Sequence, residues 1–273
     1  MTTRSAQPLL RISVVTPSFN QGEFIEKTIQ SVRAQGYPDL EHLVIDGGST
    51  DATPGILARY RSGFAYCVSE RDRGQGEAIN KGLRRATGDV LCWLNSDDSF
   101  EPGALGYVGA YFHEHPEVDL IAGGVRRIDA EGRELKVDPG RYDGRRALLT
   151  YWRSYDMHQP SIFWRRRVYE TLGGVNERLH LTMDFDYWLR AAKRFHLVSV
   201  DRILSSTILH DRQKTAGGYA RYRRHQLRDA LRHYGVPRRL GDVPSTVTLY
   251  GHLAMTAWRL CSRRPTVYSA SAP

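Results

Sequence analysis

Apolar residues in the first hundred positions gather into short runs, each ended by small polar residues, and the runs alternate with stretches of helical periodicity. Residues 11–16 (RISVVT) form a β-branched run stopped by Pro17 and followed by Ser18, Phe19, Asn20, Gln21 and Gly22. Ile25, Thr28, Ile29 and Val32 then recur at the three-and-four spacing of a helix face. A second run, 40–45, ends in Asp46, Gly47, Gly48, Ser49, Thr50 and Asp51, with Pro54 opening a helix that carries Ile56, Leu57 and Tyr60. The third run, 64–69, leads through Arg71, Asp72, Arg73, Gly74 and Gly76 into a helix with Ile79, Leu83 and Ala86 on one face and Gly88 as its stop. The fourth, 90–94 (VLCWL), breaks off at Asn95, Ser96, Asp97 and Asp98 before Pro102 starts the next helix. Such alternation predicts an α/β chain with a mostly parallel central sheet and helices on both faces. Ligands of these sheets sit at the carboxyl ends of the strands, where each polar cluster falls.

The remaining pattern is less regular. Residues 120–128 read as a strand, DAEGR (129–133) as a turn into a short partner strand, and 159–164 as a further strand running into Arg165, Arg166 and Arg167. Phe185, Trp188, Leu189 and Ala192 mark a helix face, and strand-like runs occupy 196–209. Beyond Gly217 come a basic helical stretch (219–234), a Pro- and Gly-containing linker (235–244) and an apolar segment (247–260) flanked by Arg263 and Arg264. That segment is short of the about 20 residues that cross a bilayer, and suits either a membrane surface or packing on the preceding domain. The expected division is 1–215 as one α/β domain, with halves over about 10–100 and about 101–215 that the family resemblance given below makes nucleotide-binding and acceptor halves, and 216–273 as a basic helical extension.

Composition narrows the class. With 273 residues, 41% hydrophobic and 25% charged, the chain can bury a sizeable core, which excludes a disordered or fibrous protein. The opening MTTRSAQPLLRISVV lacks the apolar core and cleavage site of a signal peptide, so a cytoplasmic location is expected. Cys67, Cys92 and Cys261 have no metal-ligand spacing and read as reduced, structural residues. A net charge of +9 calls for an anionic partner, which nucleic acid, a membrane surface or a phosphorylated substrate would satisfy, unless the arginines simply form a solvated face. Neither the G-x-G-x-x-G nor the G-x-x-x-x-G-K signature is present; Gly74 and Gly76 are followed by Ile79 where a third glycine would stand.

The polar clusters carry the candidate chemistry, each beside a plainer alternative. Asp46 at a strand tip can accept from a base or ribose, whereas Asp51 reads as a helix cap. Arg73, in a glycine-containing loop ahead of a helix N-terminus, suits a diphosphate. Asp97 and Asp98 offer hard oxygen ligands to a divalent cation, or else an Asx-type turn. Asp184 sits in the first turn of a helix, where the dipole favours a carboxylate and where a cap would also stand.

Four stretches, RISVVTPSFNQGEFIEKTIQSV, LEHLVIDGGSTDAT, SERDRGQGEAINKGLRRATGDVLCWLNSDD and MDFDYWLR, resemble in order and spacing the inverting family 2 glycosyltransferases (GT2) of GT-A fold, over about the first 210 residues. The resemblance implies a nucleotide site of Thr16, Pro17, Ser18, Asp46, Arg73, Asn80, Asn95 and Ser96. The family's D-x-D motif falls on Asn95, Ser96 and Asp97, leaving Asp97 as the metal-binding carboxylate for Mg2+ or Mn2+, with His210 completing the metal or diphosphate site and Asp98 on the sugar. The catalytic base falls on Asp184, with Asp186 as structural partner or alternative base; Met183 replaces the usual preceding Glu. His158, Gln159 and Trp164, together with Tyr151, Trp152 and Tyr155, are placed on the sugar or acceptor side, with core packing the competing reading for each aromatic.

The activity implied is metal-dependent transfer of a sugar, with inversion, from a UDP-sugar to a hydroxyl of a glycan or lipid-linked acceptor in bacterial polysaccharide or glycolipid synthesis. Peripheral contact with the inner face of the membrane through the basic extension would suit a lipid-linked acceptor. Asn95 and Met183, both departures from the family pattern, keep open an idle sugar-nucleotide-binding subunit. A basic nucleic-acid-binding module has no recognition helix or RNP-like aromatic pattern behind it, and no nucleic-acid partner is expected.

Overall fold

The structure, a computed structural model, describes residues 9–142, 157–211 and 213. Strands β1 (Ile12–Ser18), β2 (Leu40–Asp46), β3 (Tyr66–Ser69) and β4 (Val90–Trp93) alternate with helices α1 (Ile25–Arg33), α2 (Thr53–Arg59) and α3 (Gln75–Arg85). They pair in the order β3-β2-β1-β4, every pair parallel, as the strand-loop-helix repeat predicts. Side chains alternate across β2: Leu43 and Ile45 join the main core with Ile79 and Leu83 of α3, while Val44 joins Ile25, Ile29, Ile56 and Leu57 on the opposite face. Helices therefore cover both faces. On α1 the predicted stripe Ile25, Thr28, Ile29 and Val32 is buried; each fully buried aliphatic side chain contributes about 1.5–3 kcal/mol. Helix α3 lies so close to β1 that a Cβ on Gly82 would overlap Val15.

The second half adds β5 (Asp98–Phe100), α4 (Ala104–Glu114), β6 (Leu120–Ile128), β7 (Glu134–Asp138), β8 (Ile162–Arg165), α5 (Arg166–Leu172), α6 (Met183–Ala191) and β9 (Leu197–Ile208). Among the described residues the sheet has nine strands, extended past β4 in the order β8-β6-β9-β5 with β7 also on β6. β5, β7 and β8 run against the other six, so the sheet is mostly parallel, as the GT-A resemblance implies. β8 takes the Leu120–Ala122 end of β6 and β7 the Val125–Ile128 end.

Two local expectations change. Gln159–Ser161 is a 3-10 turn and β8 begins only at Ile162, because Pro160 brings no N–H and the Ser161 N–H turns back to His158 O at 2.9 Å. The arginine run does not simply trail into solvent: Arg165 ends β8, Arg166 and Arg167 begin α5, and each guanidinium is engaged by the protein. Arg165 lies over the Phe112 ring and donates to Val118 O at 2.8 Å, Arg166 donates to Ala86 O at 3.0 Å, and Arg167 pairs with Asp119 at 2.5 Å. They tie loops together and are no free anion patch.

Trp93 of β4, Trp164 of β8, and Tyr187 and Trp188 of α6 form the centre of the core. Trp93 and Trp188 stack at 5.3 Å and 6°, with Trp164 edge-on to Trp93 at 5.3 Å. Cys67 and Cys92 are buried free thiols, as expected; Cys261 lies outside the described residues. So do Tyr151, Trp152, Tyr155 and the 216–273 extension. Among the described residues no helix is long and apolar enough to cross a membrane.

One buried group sets a pH dependence. His42 of β2 is fully enclosed, its Nε2 3.0 Å from Thr16 Oγ1, and burial holds its pKa down at about 3. Between the unfolded value of about 6.5 and this folded value, the unfolded chain binds a proton that the folded chain does not, so stability falls as pH falls through that window. In urea denaturation series at successive pH values, His42→Gln is expected to lower the acid-side slope by up to about 1.4 kcal/mol per pH unit; identical slopes would remove His42 as a cause.

Candidate active site

The parallel strands β1 to β4 end along one edge, and their tips open on a cavity of about 780 Å³. Pro17 and Ser18 end β1 there, Asn95, Ser96, Asp97 and Asp98 follow β4, and Asp184 of α6 enters the same lining. The loops are held by their own polar residues. Asn20 adopts the left-handed region (φ 51°) and accepts from Thr50 N–H at 2.9 Å, while Asp51 accepts from Gly22 N–H at 2.8 Å. Asp51 thus braces the first loop with the second. At the tip of β2, Asp46 is fully buried and accepts from Ser49 N–H at 3.0 Å and from the hydroxyls of Ser49 and Ser69. Its carboxylate locks β2 to β3, and Gly47, the next residue, reaches the cavity.

Two polar atoms beside β1 are left without a partner. Ser18 Oγ and Gln21 Oε1 are buried and make no hydrogen bond among the described residues, and both residues line the cavity. Orphaned groups of this kind are costly unless something binds them.

An amide network organises the β4 tip. Asn95 Oδ1 accepts from Gln75 Nε2 at 2.7 Å, and Asn95 Nδ2 donates to Gln159 Oε1 at 2.9 Å and to Asp98 Oδ2 at 3.1 Å. Gln159 Nε2 is itself fixed on Trp93 O at 2.7 Å, so its oxygen must accept. An aspartate at position 95 would face two acceptors. Asn95→Asp is therefore expected to cost about 1–3 kcal/mol and lower Tm in thermal unfolding, although it restores a D-x-D sequence; an unchanged or raised Tm would count against this network.

Asp98 is enclosed, paired through β5 to β9, and its carboxyl is pushed well above the usual carboxylate range by burial and then by neighbouring Asp97. Asp97 is more open and lies 3.2 Å from His210 Nε2. The His210 ring stacks on Phe24 at 4.4 Å, and its buried Nδ1 has no partner among the described residues. Among the described residues no cluster of three His, Cys, Asp or Glu side chains is placed to hold a metal ion.

On α6 the two acidic residues part company. Asp186 is buried and paired with Arg190 at 2.9 Å, whereas Asp184 is half-buried, lines the cavity and accepts from Phe185 N–H at 2.8 Å. Six other residues singled out in the sequence stand back from the cavity lining besides Asp46. Thr16 is fully buried against His42, and Trp164 is fully buried among Trp93, Tyr187 and Trp188. His158 is buried near Asp138, where burial lowers its pKa to about 4. His210 reaches the site through Asp97. Arg73 and Asn80 line a second, smaller cavity; the Arg73 guanidinium, 79% exposed, pairs with Glu77 and Glu177. Gln159 does line the large cavity.

Arg71, Gln21, Gln75 and His180, none of them a candidate by sequence, also line the cavity. Arg71 forms no ion pair among the described residues. The signal available was a second arginine two residues before Arg73, but which of the two faces the strand tips depends on the loop backbone.

The chain is similar to known proteins in sequence and in fold. The chain is 31% identical over 191 residues to "PGL/p-HBAD biosynthesis glycosyltransferase Rv2957" of Mycobacterium tuberculosis, covering 68% of this chain and 72% of that one. Its fold matches Staphylococcus aureus TarS 1-349 in complex with UDP (TM-score 0.65, 18% identity, 88% of this chain and 71% of that one). It also matches the mannosyltransferase PcManGT of Pyrobaculum calidifontis in complex with GDP-Man and Mn2+ (TM-score 0.61, 18% identity, 95% and 80%). Residues 13–173 match the family description "Glycosyl transferase family 2", and with more than half its length in that match the chain belongs to glycosyl transferase family 2.

Proposed function

We propose that this glycosyltransferase moves a sugar, with inversion at the anomeric carbon, from a UDP-sugar to a hydroxyl of a glycan or lipid-linked acceptor, with Asp184 as general base. One observation carries the reading: a single cavity of about 780 Å³ is lined both by the strand-tip residues Ser18 and Asp97 and by Asp184 from a helix far along the chain. In this reading the orphaned Ser18 Oγ and Gln21 Oε1 meet polar atoms of the nucleoside. Arg71, the cation in the cavity lining, faces the diphosphate, in place of Arg73, whose guanidinium Glu77 and Glu177 already engage.

Asp97 and His210 Nε2, 3.2 Å apart, would offer one carboxylate and one imidazole nitrogen to a divalent cation that draws its other ligands from phosphate oxygens and water. Mg2+ or Mn2+ held by these two side chains would neutralise charge developing on the diphosphate. Asp184 takes the proton of the acceptor hydroxyl as that oxygen bonds to the anomeric carbon, while the bond from that carbon to the diphosphate oxygen breaks and the nucleoside diphosphate leaves with the electron pair. It stands in the first turn of α6, at the helix end whose dipole favours negative charge.

The relative named for PGL/p-HBAD biosynthesis and the UDP-bound TarS support the acceptor and donor classes, and the Mn2+-bound PcManGT supports the cation. A cytoplasmic enzyme docking on the membrane's inner face through residues 216–273 would meet such an acceptor. The test is a screen of UDP- and GDP-sugars for nucleoside diphosphate release, with Mn2+ or with EDTA, followed by NMR of the product's anomeric configuration. Release from a UDP-sugar, lost in EDTA and giving inverted product, is expected. Binding of UDP without release from any donor would identify an idle subunit instead.

A further inference from the structure

We propose that Asn80 is a positioning residue for sugar transfer: its buried amide fastens the 173–182 segment, and through it the helix bearing Asp184, to the nucleotide-binding half. The inference rests on the transfer reading above. Asn80 lies on α3 and is 8% exposed. Its Oδ1 accepts from Val175 N–H at 2.8 Å, and its Nδ2 donates to Val175 O at 2.9 Å and to Glu177 Oε1 at 2.9 Å. Both backbone groups of Val175 are thus paired by one side chain, as a neighbouring strand would pair them. A carboxamide of this length alone does so here. An aspartate would set an oxygen against Val175 O and Glu177, and a longer glutamine has no room where the segment passes so close that a Cβ on Gly174 would overlap Asn80.

The outer arm closes back on α3, because Glu177 Oε2 accepts from Arg73 at 2.9 Å and Arg73 pairs with Glu77 at 2.7 Å. From the other side α6 grips the same stretch. Arg190 donates to Leu172 O at 2.9 Å and Gly174 O at 2.8 Å while paired with Asp186. From Val175 the segment runs through His180 and Leu181, which line the large cavity, into Thr182 and α6. Asn80 therefore touches the smaller cavity of about 420 Å³ and fixes, from behind, where Asp184 stands relative to the strand tips. A misplacement of about 1 Å at a reacting group costs on the order of a hundredfold in rate. The effect belongs to kcat and not to donor binding.

The experiment compares the full chain with Asn80→Ala and Asn80→Asp, reading amide hydrogen exchange by mass spectrometry and, with the donor found active, kcat and KM at a temperature where each variant is folded. Expected is exchange of the 173–184 peptides faster by about tenfold or more with β1 and β4 peptides unchanged, and kcat lower by about tenfold or more with donor KM within about twofold. Unchanged exchange in 173–184 would overturn the proposal. So would a raised donor KM with kcat intact, which would put Asn80 on the nucleotide. If the Asn80 variants fail to fold, Glu177→Ala removes the outer arm alone and the same pair of readings decides. A wild-type chain inactive with every donor would refute the transfer reading, while exchange would still decide whether the clamp exists.

Discussion

Asp184→Asn is expected to lower kcat by about 10²–10⁴-fold, the usual contribution of a positioned general base, with nucleotide affinity unchanged. The substitution keeps the shape of the side chain and its acceptor for the Phe185 N–H, and removes only the capacity to take a proton. Asp186→Asn is expected to behave differently. Its partner Arg190 also holds Leu172 O and Gly174 O, so weakening that ion pair loosens the protein and lowers Tm along with activity. Steady-state kinetics paired with UDP calorimetry separates the two. Full turnover in Asp184→Asn would leave the acceptor hydroxyl without an assigned base.

The largest effect on stability is expected at Trp188. Fully buried, stacked on Trp93 and edge-on to Trp164 and Tyr187, it joins α6 to β4 and β8. Trp188→Ala removes this packing and leaves a cavity, a change that typically costs about 3–5 kcal/mol. For a chain of this size that lowers Tm by roughly 2–4 °C per kcal/mol. Because Trp93 lines the large cavity and α6 carries Asp184, the variant is also expected to lose activity at temperatures where it is still folded. Calorimetric Tm and activity measured together test this; a shift under about 2 °C would show that the cluster collapses around the gap.

What the sequence made legible follows from where its signals are local. The β-branched runs, the stripe Ile25, Thr28, Ile29 and Val32, and the polar tips at Ser18, Asp46 and Asp97 are written in neighbouring residues, and the parallel half of the sheet follows from them. β5 escapes because it is three residues long and exists only by pairing Asp98, Ser99 and Phe100 with Thr207, Ser206 and Ser205 of β9. The arginine run at 165–167 reads as a charged surface, yet its guanidiniums find main-chain carbonyls supplied by distant loops. The same limit governs the site: composition and spacing name Arg73, but Arg71 is the arginine in the cavity lining and Arg73 pairs with Glu77 and Glu177. Asn80, read as a nucleotide contact, has its hydrogen bonds taken by Val175 and Glu177, nearly a hundred residues away.

The most direct test of the central claim is a crystal structure of the full chain with UDP and Mn2+. Expected are the nucleoside against Ser18 and Gln21, the diphosphate and cation between Asp97 and His210, and the Asp184 carboxylate across the cavity on the side open to an acceptor. UDP lodged in the smaller cavity beside Arg73, or an Asp184 side chain turned away from the space beyond the diphosphate, would contradict that claim.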